Sequence, residues 1–152
     1  MVADLSSLDF SEISPHEFAR IVKSADRGDL HTLMAGPTRE RVLDEVFARM
    51  ADQFRSDVGA HLDATVRWRL RSAGEEAETT YELTMTQGQC TTSKGASDVA
   101  PRVTITIGDV DFLKLVSGNT GGPTLFMTRK LRADGDLGLA ASLTRYFDIP
   151  RA

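Results

Sequence analysis

The chain has 152 residues, of which 41% are hydrophobic and 26% charged, a composition typical of one globular domain and not of a disordered chain. Its formal net charge of −4 argues against a nucleic-acid partner, because such proteins usually carry a basic face. The single cysteine, Cys90, excludes an intrachain disulfide and a thiolate metal site. No apolar run approaches the roughly 18 residues of a membrane span, and the acidic start does not fit a signal peptide. We therefore expect a cytoplasmic protein without a transmembrane segment.

Residues 1–37 are predicted to form a tail and two accessory helices. Ser14 can cap the first helix, Pro15 fits the first helical position and Glu17 completes a capping box. A shorter apolar face follows and ends before Pro37. The first helix either packs on the domain or docks a partner through its apolar stripe, which consists of Phe18, Ile21 and Val22.

The strongest helical pattern runs from about Thr38 to Arg55. Apolar residues recur there at helical spacing and charged residues fill the opposite side. The apolar stripe consists of Val42, Val46, Phe47, Met50 and Phe54. We expect this helix to cover a sheet.

The pattern then changes to a period of two, which predicts a β-hairpin. Residues 62–71 and 81–86 alternate between apolar and polar, and a polar turn separates them. A turn centred between Gly74 and Glu75 satisfies both faces in one register. It places Trp68 opposite Tyr81 and Val66 opposite Leu83 on the dry face, and Arg67 opposite Glu82 and Arg71 opposite Glu78 on the wet face.

The remaining elements are short. We predict a polar third strand at 89–93, a fourth strand at 103–107, a helix capped by Asp109, an apolar helical segment around 125–127, a fifth strand at 130–133 and a last helix after Asp136. A half-wet sheet with amphipathic helices for its other face makes a two-layer α+β domain.

Few polar groups in this sequence indicate chemistry. The three histidines belong to no ligand motif, and no nucleophile with a neighbouring base can be assembled. Arg67, Arg69 and Arg71 share a strand face that could bind an anionic lipid head or nucleic acid, but the opposed glutamates favour an ion-paired, solvated face. We expect no catalytic residue, no metal site and no cofactor.

The stretch from Val103 to Leu143 carries a characteristic order of features. A strand of alternating β-branched residues leads into an aspartate-led helix and a glycine-rich break, followed by Phe126-Met127, Lys130-Leu131 and Gly135-Asp136. This order resembles the sterol carrier protein 2 (SCP-2) family of lipid-binding domains, and the upstream helix and hairpin fit it from Thr38 to Phe147. The family commonly has glycine where this chain has Arg129, so we expect the local turn or pocket entrance to differ.

The resemblance implies a mixed five-stranded sheet with helices on one face and an apolar tunnel, built from residues 38–152. It implies non-enzymatic binding and intracellular transfer of an apolar lipid, such as a sterol, a fatty acid or a fatty acyl-CoA. Transient contact with a membrane surface and a homodimer stay open. The chain ends without a peroxisomal tripeptide, which fits a bacterial or other cytosolic setting. The expected lining consists of Phe47, Met50, Phe54, Trp68, Phe112, Leu115, Val116, Leu125, Phe126 and Met127.

In a second interpretation, the chain has the SCP-2 fold but does not bind a lipid. The chain would then be an interaction or dimerisation module, accessory to another enzyme, with little or no cavity. The same apolar residues would form an ordinary core, because periodicity shows that side chains point inward and not whether they enclose space.

Overall fold

The computed structural model describes residues 14–35, 39–71 and 78–147. The predicted tail, the helix end at Pro37, the hairpin turn at Gly74-Glu75 and the last five residues lie outside these ranges. The helices are α1 Pro15–Ser24, α2 Arg27–Ala35, α3 Arg39–Asp52, α4 Ser56–Gly59, α5 Asp109–Val116, α6 Gly122–Met127, α7 Leu137–Ser142 and a 3-10 helix at Leu143–Tyr146. The strands are β1 Ala64–Arg71, β2 Glu78–Thr86, β3 Gln89–Lys94, β4 Val103–Gly108 and β5 Leu131–Gly135.

The five strands form one mixed sheet in the order β3-β2-β1-β4-β5. Strands β1 and β4 are parallel, and the other neighbours are antiparallel. The apolar residues of β4 are buried while the threonines between them are half-buried, as expected for a sheet covered on one face. The predicted α+β fold with a mixed five-stranded sheet and helices is confirmed. The domain boundary at residue 37 stays a prediction.

The hairpin register is the one that the sequence predicts. Trp68 pairs with Tyr81, Val66 with Leu83 and Arg67 with Glu82. The Arg67 Nε and Glu82 Oε2 atoms are 2.8 Å apart, and the backbone N–H of Ser97 also donates to Glu82. Burial alone would raise the pKa of Glu82, but the hydrogen bonds from Ser97 and Arg67 and the charge of Arg67 outweigh it and lower the pKa.

Aromatic side chains join the helices to the sheet. The Phe47 ring of α3 stacks on Tyr81 of β2 at 4.2 Å and on Phe112 of α5 at 5.2 Å between ring centroids. The Trp68 ring meets Phe112 edge-on at 5.4 Å. Four elements, α3, β1, β2 and α5, thus share one aromatic cluster, which fixes α3 and α5 on the same face of the sheet.

Helix α1 packs on the domain. Its cap is as predicted, since Ser14 Oγ accepts a hydrogen bond from the Glu17 N–H at 3.1 Å. Phe18 and Val22 are buried in the core, and the Asn119 side chain donates to the Ala19 carbonyl at 3.0 Å. The apolar stripe therefore faces inward, which removes it as a docking surface for a partner.

The expectation that Asp109 caps α5 is wrong. Gly108 is the N-cap and makes no side-chain cap bond, while Asp109 is the first helical residue. The Asp109 carboxylate is buried and accepts from Arg39 Nε at 2.7 Å and Nη2 at 3.1 Å. The N-cap rule considers only neighbouring residues. It could not predict Arg39 as the partner, because Arg39 starts a helix in a distant part of the chain. Burial raises the pKa of Asp109, and the hydrogen bonds and charge of Arg39 oppose that rise.

Helix α3 ends at Asp52, before the predicted Arg55. Phe54 instead forms an isolated antiparallel bridge with Phe147, and the Arg55 N–H donates to the Tyr146 carbonyl at 2.7 Å. The chain leaves the helix because its backbone pairs with the end of the domain. Sequence periodicity carries no information about that distant partner.

The turn after α6 holds an arginine in the left-handed region. Arg129 has φ 62°, and its N–H donates to the Phe126 carbonyl at 3.1 Å. The Lys130 N–H donates to the Leu125 carbonyl at 2.8 Å, which completes a Schellman motif. Arginine therefore adopts a positive φ at a cost, and the expected difference from the family at the turn or pocket entrance stays a prediction.

Replacing Arg129 with glycine is expected to stabilise the fold by about 0.5–1 kcal/mol. A left-handed residue with a Cβ costs roughly 1–2 kcal/mol, and the freedom of glycine in the unfolded chain offsets part of the gain. Urea unfolding measures the change. The matched control is Thr128→Gly. Because Thr128 has φ −89°, glycine relieves no strain there and should destabilise the fold. An Arg129→Gly variant no more stable than the parent would contradict the prediction that Arg129 is strained.

Candidate functional site

An apolar groove of about 300 Å³ lies between the edge strand β5 and helices α6 and α7. Its volume is at the lower end of the range of about 300–1,000 Å³ that is typical of small-molecule pockets. It is lined by Gly122, Pro123, Phe126, Met127, Leu131, Ala133, Leu137, Ala140 and Ala141. A groove of this composition can bind a hydrocarbon chain.

Three large apolar side chains stand open to water at this groove. Phe126 is 50% exposed, Met127 is 82% exposed and Leu137 is 54% exposed. The neighbouring Leu125 of α6 is buried in the core. The short helix α6 therefore anchors itself through Leu125 and presents Phe126 and Met127 outward. Clustered exposed apolar side chains of this kind mark interaction or ligand sites.

A second cavity of about 960 Å³ adjoins the groove; its lining mixes apolar and charged side chains, and we call it the polar cavity for its charged residues. It lies where β4 runs into α5 and where the turn after α6 runs into β5, and it shares Phe126, Met127, Leu131 and Ala133 with the groove. Its charged lining residues are Arg71, Asp109, Asp111, Arg129, Lys130, Arg132 and Asp134. One continuous surface thus carries an apolar part and a charged part.

The structure separates the ten residues that were expected to line a tunnel. Phe126 and Met127 line the groove and the polar cavity. Phe54 is half-buried and packs edge-on against Phe147 at 5.7 Å between ring centroids. The other seven are buried in the core: Phe47, Met50, Trp68, Phe112, Leu115, Val116 and Leu125. Contact of any of the ten with a ligand stays a prediction.

Sequence reasoning did not assign the other walls of the groove to a binding site. Leu131 and Ala133 alternate with exposed Arg132 on β5, a signal for a sheet face that points towards α6 and α7. Leu137 and Ala141 are four residues apart on α7 and share a helix face. These spacings predict an inward face on each element, but they do not show that the two faces enclose a groove.

A match to a known family decides the identity of the fold. Residues 43–148 match the family described as the SCP-2 sterol transfer family. The chain belongs to this family. The resemblance that the strand, helix and Phe126-Met127 pattern suggested is thereby confirmed.

Two of the similar proteins are much longer than this SCP-2 chain. Peroxisomal multifunctional enzyme A of Dictyostelium discoideum is 33% identical over 63 residues, which is 41% of this chain and 14% of the relative. The sec-alkylsulfatase Pisa1 from Pseudomonas sp. has a similar fold, with a TM-score of 0.59 and 21% identity over 72% of this chain and 16% of that one. The chain thus spans about a seventh of the length of either relative.

A third similar protein has about the size of the SCP-2 domain itself. The palmitated SCP2L2 of Aedes aegypti matches with a TM-score of 0.56 and 18% identity, over 74% of this chain and 96% of that chain. At this identity the likeness shows a shared fold.

Two potentially reactive side chains in the described part of this SCP-2 chain, Cys90 and Tyr81, have raised pKa values. Burial raises the pKa of the half-buried Cys90 thiol to about 11, so it stays protonated at neutral pH and is a poor nucleophile. Burial also raises the pKa of Tyr81, whose hydroxyl donates to Asp44. Among the described residues, no three His, Cys, Asp or Glu side chains converge as a metal site would require.

Within the described ranges, no helix combines the length and the apolar character needed to cross a bilayer.

Proposed function

We propose that this chain binds an apolar lipid without covalent chemistry and transfers it within the cytoplasm. The ligand would be a fatty acid, a fatty acyl-CoA or a sterol, held in the groove between β5, α6 and α7. The observation that carries the proposal is the exposure of Phe126, Met127 and Leu137 around one apolar groove. A hydrocarbon chain would remove these side chains from water.

The energetics suit reversible binding. Burying ten methylenes gains about 8 kcal/mol at roughly 0.8 kcal/mol each. Association and the ordering of the ligand cost at least several kcal/mol, so the net affinity is modest. Met127 adds an adaptable wall, because a thioether side chain fits irregular ligand shapes. Modest affinity with a flexible wall fits pick-up and release.

The family supports a lipid over other apolar ligands. Membership in the SCP-2 sterol transfer family favours lipid binding or transfer. The structurally similar Aedes aegypti protein is described as palmitated, which favours a fatty acyl chain among the candidates.

The alternative is a module that is accessory to an enzyme. It is favoured by the two long relatives, which are named as enzymes and in which the matching part covers only 14% and 16% of the chain. An accessory module would not require the groove to be occupied. A test of the groove itself therefore separates the two functions.

Filling the groove is expected to weaken lipid binding. Ala141 is an exposed groove residue, so Ala141→Trp places an indole in the groove without entering the core. We expect the affinity for a fluorescent fatty acid to fall at least tenfold, equivalent to about 1.4 kcal/mol. Probe titration measures the affinity, and mass spectrometry of the purified protein identifies any lipid that it carries.

The matched control is Ala48→Trp. Ala48 is exposed on α3 and lies outside both cavities, so its replacement should leave probe affinity unchanged. Equal affinity in the parent and in Ala141→Trp would place the ligand elsewhere. Failure of the parent to bind any probe would favour the accessory module.

A further inference from the structure

The groove opens into the polar cavity at one end. Phe126, Met127, Leu131 and Ala133 border both spaces. Leu131 and Ala133 point towards the helices and border the groove, and the exposed Arg132 between them lines the polar cavity. A ligand tail in the groove therefore ends beside a wall that carries charged side chains.

That wall carries three cations in close succession. Arg129, Lys130 and Arg132 are exposed along the turn from α6 into β5. Over the described ranges, no ion pair engages any of the three. The chain as a whole has a net charge of −4, so this positive cluster is opposite in sign to the net charge of the protein.

Carboxylates in the same cavity do not cancel the cluster. Asp109 is buried and bound to Arg39. Asp111 is also buried and has an interaction partner of its own. The remaining acidic lining residue, Asp134, is a single charge against three cations. The exposed surface beside the groove is therefore positive.

Arg129 adds a second indication. It occupies a left-handed position where glycine would carry no steric penalty. Strained residues of this kind cluster at functional sites. Arg129 lies at the junction of the two cavities. A binding role for its charge would explain why this position holds a strained arginine and not a glycine.

We propose that the polar cavity binds the anionic headgroup of the lipid, a carboxylate or a phosphate, through Arg129, Lys130 and Arg132. The inference rests on the proposed lipid-binding function and narrows its substrate class to anionic amphiphiles. Arginine binds carboxylate and phosphate oxygens through paired N–H donors, and lysine adds a compact charge. Uncharged lipids of the same tail length would fill the groove but gain nothing in the cavity.

The test compares ligands that share one tail. Laurate, dodecyl phosphate and dodecanol are titrated calorimetrically against the full chain. We expect laurate, dodecyl phosphate or both to bind at least tenfold more tightly than dodecanol at low salt, and the advantage to shrink at high salt. The ratio of laurate to dodecyl phosphate affinity identifies the preferred headgroup.

The variant Arg129→Gln/Lys130→Gln/Arg132→Gln removes the charges and keeps polar side chains. It should bind the anionic ligands no more tightly than dodecanol, and its affinity for dodecanol should equal that of the parent. The control is Arg20→Gln/Arg41→Gln/Arg145→Gln, which removes three exposed cations outside both cavities. This control should keep the anionic preference.

Each remaining outcome overturns the inference. Equal affinity of the parent for all three ligands removes the headgroup site and leaves the groove function intact. Loss of dodecanol binding in the triple variant, with or without a lower melting temperature, means that the three cations support the fold or the groove. No binding of any ligand, together with no displacement of a fluorescent fatty acid, overturns the headgroup site and the lipid-binding function together.

Discussion

Replacing Phe47 with alanine is expected to destabilise the fold by about 3–5 kcal/mol. Phe47 is 1% exposed, and its ring stacks on Tyr81 and Phe112 while meeting Trp68 edge-on at 6.3 Å between ring centroids. The substitution removes the transfer free energy of the ring and leaves a cavity at the junction of α3, α5 and the sheet. Helices cannot close such a cavity without losing their other contacts.

The single tryptophan makes the measurement direct. Trp68 belongs to the same aromatic cluster, so its fluorescence reports urea unfolding of the region that is altered. The control is Phe126→Ala, in which a half-exposed ring is removed. It should lower lipid affinity and cost less than about 1 kcal/mol of stability, because little buried surface is lost.

The comparison also decides how the ten expected lining residues divide. A Phe47→Ala variant that loses under about 1 kcal/mol would mean that the ring borders empty space and is not close-packed. Phe47 would then belong with Phe126 and Met127 as a ligand contact. A loss of several kcal/mol with unchanged lipid affinity assigns Phe47 to the core.

The hairpin could be predicted in detail because two independent patterns agree on it. The apolar pair Val66 and Leu83 and the charged pair Arg67 and Glu82 require the same register, and a slip of one residue would reverse both faces. Helix starts at Ser14 and Asp136 were predictable for a similar reason, since a cap acts within three residues.

Features that depend on contacts between residues distant in the chain could not be predicted from the sequence. The local rule for helix caps explained Asp109, although its partner Arg39 lies far away in the chain. Periodicity could not separate Phe126, which is exposed, from Leu125, which is buried, because α6 is too short to show a complete stripe. Whether an inward face encloses a groove depends on the distance between elements, and the sequence does not display that distance.

Breaking the buried ion pair between Arg39 and Asp109 is expected to cost about 3–5 kcal/mol. Asp109→Ala would leave the Arg39 guanidinium partly buried with its remaining bonds to Thr79 Oγ1 and the Leu70 carbonyl. Those bonds join α3 to the ends of β1 and β2, so the loss should loosen the wall of the polar cavity. Thermal and urea unfolding measure the loss of stability.

The double replacement Arg39→Met/Asp109→Leu should restore most of the stability. Burial disfavours the charged form of Asp109, so the attraction between the two groups largely offsets the free energy that their desolvation costs. Apolar side chains of similar size carry no such cost, and the two single variants should be far from additive in a double-mutant cycle. The exposed pair Arg55–Asp57 is the control, because its removal should change stability by less than about 1 kcal/mol. Additive losses at Arg39 and Asp109 would show that each side chain acts through its own packing and that the pair is not a coupled unit.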